Sequence, residues 1–182
     1  MKSILAISSV IFTIGILTIP VVWSDNDFSW KEYKSADVFA VKNPVYKEEC
    51  GSCHMAYPPG LLPTRSWTKI MANLENHFGD NAELDSQTHQ SISQLLQKYS
   101  SDQSDYRRSQ KFNHSIKTGD VPVRISKVPY FIRKHDEIPD RLVTGNPKVK
   151  SFSQCNACHS KAEQGSFNEH NINIPGYGQW DD

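Results

Sequence analysis

Cys50-Gly51-Ser52-Cys53-His54 and Cys155-Asn156-Ala157-Cys158-His159 are the two stretches that decide what this chain folds around. Both read Cys-x-x-Cys-His, the attachment signal for c-type haem. Two cysteines about one helical turn apart can present their thiols to both vinyl groups of one porphyrin, and the adjacent histidine can bind the iron from the proximal face. The sequence therefore predicts two haem c groups, attached through Cys50, Cys53, Cys155 and Cys158, with His54 and His159 as proximal ligands.

Other uses of the four cysteines explain less of the pattern. Two disulfides would suit an oxidising compartment. A thioredoxin-like site would need a βαβ context around one of the motifs. A zinc site would have to join two cysteine pairs that lie about a hundred residues apart, a much longer gap than in zinc ribbons. None of these explains why a histidine follows the second cysteine in both motifs.

His77 and His135 are the candidates for the distal side of the two irons, because each lies on an apolar stripe with helical spacing. The first stripe comprises Trp67, Ile70, Met71, Leu74, His77 and Phe78. The second comprises Val128, Phe131, Ile132 and His135. A single histidine on such a stripe is usually a core residue, but here two irons on the same chain need ligands.

His89 is the runner-up as a distal ligand. It shares a face with Ile92, Leu96 and Tyr99, which core packing explains as well. His114 and His170 lie in polar surroundings and are expected at the surface.

Methionine is the other common sixth ligand, and it raises the reduction potential. Met55 directly follows a proximal histidine and is poorly placed to reach the opposite face of that haem. Met71 is an ordinary filler of a helical core. Two low-potential haems with bis-His ligation are therefore expected.

The first 24 residues are typical of a secretory signal. Lys2 precedes a nearly continuous apolar run over residues 4–23, and Val22 and Ser24 are small enough for cleavage after Ser24. The run is also long enough for an uncleaved anchor, but Pro20 near its end favours cleavage. Either way the rest of the chain is expected outside the cytoplasm, in the periplasm, with no membrane span after cleavage.

Removing 24 of the 182 residues leaves 158, with 19 Lys and Arg against 20 Asp and Glu. This balance argues against a nucleic-acid-binding protein, which would be strongly basic. The remaining chain is only about one-third apolar, which is low for a globular protein. A large apolar cofactor would supply part of the missing core.

The predicted fold is mainly α, with few or no strands and two small cytochrome c-like helical lobes: 25–105 for the first haem and 106–182 for the second. Helices are expected from Pro44 into the first motif, over 64–78 carrying His77, over 85–99, over 126–136 carrying His135, and from Asn146–Pro147 into the second motif. Residues 100–120 are expected to form a solvated helix and linker, and residues 172–182 to be extended. Ligation within each lobe and crossed ligation between lobes both remain open.

Long motifs make the chain resemble the dihaem cytochrome c family of proteobacteria. They comprise residues 49–63, 65–67, 76–82, 133–135, 155–159, 165–167 and 174–176, and the resemblance runs from about Pro44 to Trp180. It implies a periplasmic electron carrier with two bis-His haems, in which His77 and His135 match the distal ligands. It further implies electron donation to a small oxygen-binding monohaem cytochrome, often alongside a membrane cytochrome b.

Electron transfer rather than enzymatic catalysis is the expected function. The alternative is a dihaem peroxidase or reductase, or a gas-binding haem protein, each of which needs an iron with an open site. Dihaem peroxidases are much longer chains. The histidines present here are also numerous enough to fill both axial positions of each iron.

Overall fold

A computed structural model of the protein describes residues 36–180. The predicted signal sequence, residues 1–24, lies outside this part of the chain, as do the beginning of the predicted first lobe and the last two residues. Within the described range no helix has the length and apolarity needed to cross a membrane.

Helix α1, Pro44–Gly51, begins where the sequence predicts. The Asn43 side chain accepts a hydrogen bond from the Tyr46 N–H at 2.9 Å, and Pro44 occupies the first turn, where its missing N–H is not needed. Cys50 lies in the last turn, and the helix ends before Cys53 and His54. The first motif therefore turns out of a helix, which lets its histidine point away from the helix axis.

Helix α2, Thr64–Met71, is shorter than expected. The predicted helix over 64–78 is wrong beyond Met71: a 3₁₀ turn follows at Leu74–Asn76, and His77 lies outside any helix. Asn73 and Asn76 bracket that turn, and the Asn73 side chain donates to the Asn76 carbonyl at 3.0 Å. Asparagine favours such local bonding over helix continuation, so the apolar spacing through His77 is not that of one helix.

Helix α3, Ser86–Lys98, agrees with the prediction. The Asp85 carboxylate caps it by accepting from the N–H groups of Gln87 and Thr88. Its apolar side, with Ile92 and Leu96 buried, packs against α2.

Helix α4, Arg107–Ser115, lies in the stretch predicted to be solvated, and that prediction is wrong in part. Ser100, Ser101 and Ser109 are fully or almost fully buried. The Ser101 N–H donates to the Leu62 carbonyl at 2.9 Å, so this segment is fastened to the loop after the first motif. Small hydroxyl side chains fit where two backbone segments approach closely, and composition alone does not reveal that.

Two short helices carry the remaining site residues. Helix α5, Pro129–His135, follows a 3₁₀ turn at Ile125–Lys127 and ends on His135. Helix α6, Cys155–Cys158, is a single turn. The predicted helix from Asn146–Pro147 into the second motif is wrong, because residues 147–154 form turns and bends and Lys150 has a positive φ of 70°.

The tail ends in a small antiparallel pair, β1 (Asn173–Ile174) with β2 (Gly178–Gln179). Gly176, at φ 81°, makes the turn that a side chain would strain. Six α-helices and this one pair of strands, over the described residues, confirm the mainly α fold class.

The core is continuous across the predicted boundary at residue 105. One cluster of buried apolar residues runs from Val38 and Tyr46 through Leu62 and Leu96 to Phe131. The N–H groups of Asp37 and Val38 also donate to the Gly165 carbonyl at 2.8 and 3.1 Å. The two-lobe division stays a prediction, with extensive contacts between its halves.

Candidate haem sites

The structure brings His77 opposite His54. Their ring centroids are 6.3 Å apart and the ring planes are inclined by 32°. A small backbone loop holds His77, in which its N–H donates to the Asp80 carbonyl at 2.7 Å and the Asp80 N–H donates back at 3.3 Å. Both imidazoles are half-buried.

The structure also brings His135 opposite His159. Their centroids are 6.1 Å apart, with ring planes inclined by 70°. His135 is the last residue of α5, and His159 follows α6, where its N–H donates to the Cys155 carbonyl at 2.8 Å. Each cysteine motif therefore faces one histidine that is distant in sequence.

These separations fit two imidazoles on opposite sides of one metal ion. An imidazole nitrogen lies about 2 Å from a metal that it binds and roughly 1.1 Å from its own ring centroid, so two opposed ligands have centroids about 6.2 Å apart. The two pairs, at 6.3 and 6.1 Å, leave room for one iron each.

Backbone carbonyls orient two of the four rings. His54 Nδ1 lies 2.8 Å from the Met55 carbonyl oxygen, and His135 Nδ1 lies 2.8 Å from the Phe131 carbonyl oxygen. Because a carbonyl only accepts, Nδ1 must carry the proton, which leaves the Nε2 lone pair free to bind a metal. Phe131 also stacks on the His135 ring, with centroids 3.9 Å apart.

In each pair, the surroundings favour the neutral form of one imidazole. Burial, with help from the adjacent His135 and Arg108, lowers the pKa of His159 to about 4, against the opposing effect of Asp37. Burial and then His54 lower the pKa of His77. A neutral imidazole is the form that binds iron.

No disulfide joins the four cysteines, so all four are available for attachment to haem. Burial raises the pKa of Cys50 to about 11 and that of Cys155 to about 12. A thioredoxin-like site lowers the pKa of its attacking thiol instead. Over residues 36–180, no group of three or more His, Cys, Asp or Glu side chains is arranged to hold a metal ion.

The second pair borders a cavity of about 470 Å³, within the usual range for cofactor sites. Helices α4, α5 and α6 and strand β1 contribute to its walls. The lining combines charged side chains with an apolar part that includes Leu61, Phe112, Ile125, Phe131, Val149, Phe152, Phe167 and Ile174. Cys155 and Cys158 lie on the same wall as His159, as thioether attachment to a porphyrin requires.

The first motif borders a smaller cavity of about 260 Å³. Gly51 to His54 line it together with Gln154 and Asn156 of the second motif region, so the two attachment segments are neighbours. Tyr57 links them: its ring stacks on His54 at 4.5 Å, and its hydroxyl donates to the Ser153 carbonyl at 2.8 Å.

The other sequence candidates have different surroundings. His89 Nε2 lies 2.9 Å from the Met71 carbonyl oxygen, a bond that joins α3 to the end of α2. Met55 and Met71 are buried core residues, 4% and 6% exposed. His114 and His170 are exposed, as expected, although His170 also borders the larger cavity.

Sequence reasoning missed several side chains of these sites. Phe131 precedes His135 by four residues, a helical spacing that does predict their contact. Tyr57 and Arg108 come from segments that looked like a turn and a solvated linker, and Phe152 comes from a segment predicted to be helical. Only the fold brings them to the histidines.

Comparisons with known proteins also point to two haem sites. A family model described as dihaem cytochrome c matches residues 46–167. The solved structure of a diheme cytochrome c from Shewanella baltica is 49% identical, covers 76% of this chain and 98% of its own, and has a TM-score of 0.63. A diheme cytochrome c from Rhodobacter sphaeroides is 43% identical over 70% of this chain and 98% of its own, also with a TM-score of 0.63. No curated protein shows a match.

Proposed function

The chain belongs to the dihaem cytochrome c family and carries two covalently bound haem c groups, and from this we propose that it is a periplasmic electron carrier with two bis-His irons. His54 and His77 would bind the first iron, and His159 and His135 the second. The observation that supports this most directly is the pair of imidazole separations, 6.3 and 6.1 Å, both close to the value for opposed ligands of one iron. Both pairs form within the predicted lobes, which favours ligation within each lobe over crossed ligation.

Electron transfer follows from closed coordination. A haem iron with two imidazole ligands exchanges one electron with little change in its coordination. The chain's own part is to keep both ligands in place: the carbonyls of Met55 and Phe131 fix the rings of His54 and His135, and Phe131 covers the latter. An enzyme or gas-binding protein would instead leave one iron position open.

The neighbouring motifs support a carrier rather than two independent sites. The first motif and residues 154–156 line the same small cavity, and Tyr57 spans from the ring of His54 to Ser153. Adjacent cofactors shorten each electron hop. The arrangement suits a chain that accepts an electron at one haem and delivers it from the other.

We further propose that the delivery partner is a small monohaem cytochrome, with a membrane cytochrome b as a possible donor. Cys53, in the first motif, is exposed, so an edge of the first haem would be accessible to a protein partner. Stopped-flow mixing of the reduced chain with such a cytochrome should show electron transfer. If no electron transfer is observed, the proposed partner is wrong, but the proposed ligation of the two irons is unaffected.

A visible spectrum of the purified chain, with a pyridine haemochrome count and exposure to carbon monoxide, tests the ligation. We expect two c-type haems, both low-spin in both oxidation states and neither binding carbon monoxide quickly. A high-spin component that takes up the gas would mean an open iron and would favour the enzymatic or gas-binding alternative. A charge-transfer band typical of methionine ligation would also contradict the proposal.

A further inference from the structure

One imidazole of each candidate site has its Nδ1–H fixed by a backbone carbonyl. His54 Nδ1 lies 2.8 Å from the Met55 carbonyl oxygen, and His135 Nδ1 lies 2.8 Å from the Phe131 carbonyl oxygen. A histidine that binds a metal almost always donates its other ring N–H in this way. The two sites are equal in this respect, so a difference in imidazole hydrogen bonding must come from the second ring of each pair.

The second ring of the larger site, His159, departs from this pattern. Within residues 36–180, its Nδ1 is sealed from solvent and has no hydrogen-bond partner. Its Nε2 is not sealed in this way, and the residue lines the larger cavity together with Cys155 and Cys158. Nε2 is therefore the nitrogen available to the iron. A bound haem would add cover and remove none, so the Nδ1–H stays without a water partner in the loaded site.

The second ring of the first site, His77, has different surroundings. It is half-buried, and the three residues that follow it, Phe78, Gly79 and Asp80, are exposed. Neither of its ring nitrogens is both buried and without a partner. Water can therefore accept a hydrogen bond from the nitrogen that does not bind the iron. In the first site both imidazoles have an acceptor available, whereas in the second site only His135 has one.

This difference acts on the reduction potential. A hydrogen bond accepted from the Nδ1–H makes an imidazole a stronger donor to iron and so favours the ferric state. Without that bond the ferrous state is favoured and the potential rises.

Enclosure of the second site acts in the same direction. With two neutral imidazoles, the ferric haem carries one more positive charge than the ferrous haem, and burial penalises the more highly charged state. Both histidines and both cysteines of the second site line one cavity, whereas Cys53 of the first site is exposed. The two effects add.

We propose that His159, through its unpartnered Nδ1–H, gives the second haem the higher reduction potential of the two. This deepens the proposed electron-carrier function and rests on the bis-His ligation proposed there. In the half-reduced protein the single electron lies on the second haem. The first haem is the stronger reductant, which suits the exposed attachment segment from which a partner would take electrons.

A redox titration of the holoprotein, followed by visible spectra and NMR, tests the order of the potentials. The second haem is identified as the signal that Cys50→Ala/Cys53→Ala retains. We expect the electron of the half-reduced protein to favour the second haem about tenfold, which corresponds to about 59 mV for one electron. Equal occupancy, or a preference for the first haem, would overturn the proposal.

Proton NMR of the ferrous holoprotein, with isotope-labelled histidine, reads the hydrogen bonding itself. The Nδ1–H protons of His54 and His135 should resonate downfield, as hydrogen-bonded protons do. The Nδ1–H of His159 should lie upfield of both and exchange slowly with solvent, because it is sealed but unbonded. A His159 proton at the position of a hydrogen-bonded one would contradict the assignment.

Phe167→Gln and Phe167→Met form a matched pair of variants. The ring of Phe167 lies edge-on to that of His159, with centroids 5.3 Å apart, so a side chain at this position reaches the imidazole. Both substitutions remove the aromatic ring and have similar length, but only glutamine brings a carbonyl that can accept from the Nδ1–H. Phe167→Gln should have the lower potential at the second haem and a His159 Nδ1–H that moves downfield. Equal potentials in the two variants, or a higher one with glutamine, would overturn the proposal.

The spin state separates this proposal from the proposed function. Low-spin spectra of both haems show that all four histidines bind, whatever the order of the potentials. High-spin iron in the unaltered holoprotein would contradict the ligation itself. If neither Phe167 variant retains two haems, the electron partition and the His159 proton in the unaltered holoprotein still decide.

Discussion

At the scale of single residues, the two histidine pairs reach similar separations by different local means. His135 ends a helix and is fixed by a carbonyl one turn earlier, whereas His77 is held by a backbone loop with Asp80. Their partners differ as well, since His159 is strongly desolvated and His54 is covered on one side by Tyr57. The separation is what both have in common, and it is the property that iron ligation demands.

Replacing His77 by alanine should open the first iron. The variant should acquire a high-spin, five-coordinate ferrous component that binds carbon monoxide, because the ring of His77 stands opposite His54. Optical spectra with and without the gas measure this. His135→Ala should do the same for the second haem.

His89→Ala is the control for the His77 variant. It removes the bond to the Met71 carbonyl and should lower the free energy of unfolding by about 1 kcal/mol, with the low-spin spectrum intact. Carbon monoxide binding in His89→Ala but not in His77→Ala would mean that His89, and not His77, is the distal ligand of the first iron.

Tyr57→Phe should weaken the link between the two attachment segments. The variant keeps the ring that stacks on His54 but loses the hydroxyl bond to Ser153, so the free energy of unfolding should fall by about 1 kcal/mol without a change of spin state. Denaturant unfolding measures it. Tyr177→Phe is the control, because its phenol is exposed, and it should change the free energy of unfolding by less than about 0.5 kcal/mol. An equal loss of stability in both variants would mean that the Tyr57–Ser153 hydrogen bond does not stabilise the protein.

At the scale of secondary-structure elements, capped helices could be predicted from sequence and turns could not. Asn43–Pro44 and Asp85 are local signals, and α1 and α3 begin where they stand. The prediction of a helix through His77 was wrong, because it relied on the spacing of apolar residues. That spacing takes no account of the hydrogen bond from the Asn73 side chain to the Asn76 carbonyl, which favours a turn. The motif histidines and the pairing candidates followed from residue type and spacing, whereas Arg108 and Tyr57 enter the sites only through the tertiary fold.

Gly60 shows how the loop after the first motif is fitted to α4. A Cβ built on Gly60 would overlap the side chain of Ser109, which is itself fully buried. Gly60→Ala should therefore lower the free energy of unfolding by about 1–3 kcal/mol, the usual penalty of overpacking. Thermal unfolding of the holoprotein measures this loss.

Two variants complete the Gly60 experiment. Ser109→Ala removes the overlapping hydroxyl and should restore part of the stability of Gly60→Ala, which a double-mutant cycle measures. Gly51→Ala places its Cβ in ordinary contact with Ala56 and should be nearly neutral. Additive losses from Gly60→Ala and Ser109→Ala would mean that the two residues do not press on each other.

At the scale of the whole molecule, the cofactors replace part of the core. The second site is enclosed by several elements, and both of its histidines and both of its cysteines line one cavity of about 470 Å³, whereas Cys53 of the first site is exposed. The low apolar content of the chain fits this division, because the porphyrin supplies surface that side chains do not. The two haems should therefore contribute unequally to stability.

Preventing attachment of each haem in turn tests that inequality. Cys155→Ala/Cys158→Ala should be the more damaging change, because it exposes the apolar walls formed by α4, α5 and β1, at a cost on the order of 5 kcal/mol. That is a large part of the roughly 5–15 kcal/mol that stabilises a typical domain, so cooperative unfolding should be lost. Cys50→Ala/Cys53→Ala should unfold at a lower temperature but still cooperatively. Calorimetry and limited proteolysis compare the two variants, each with its remaining haem counted. An equal loss, or a greater one at the first site, would mean that cavity enclosure does not govern how much each cofactor contributes.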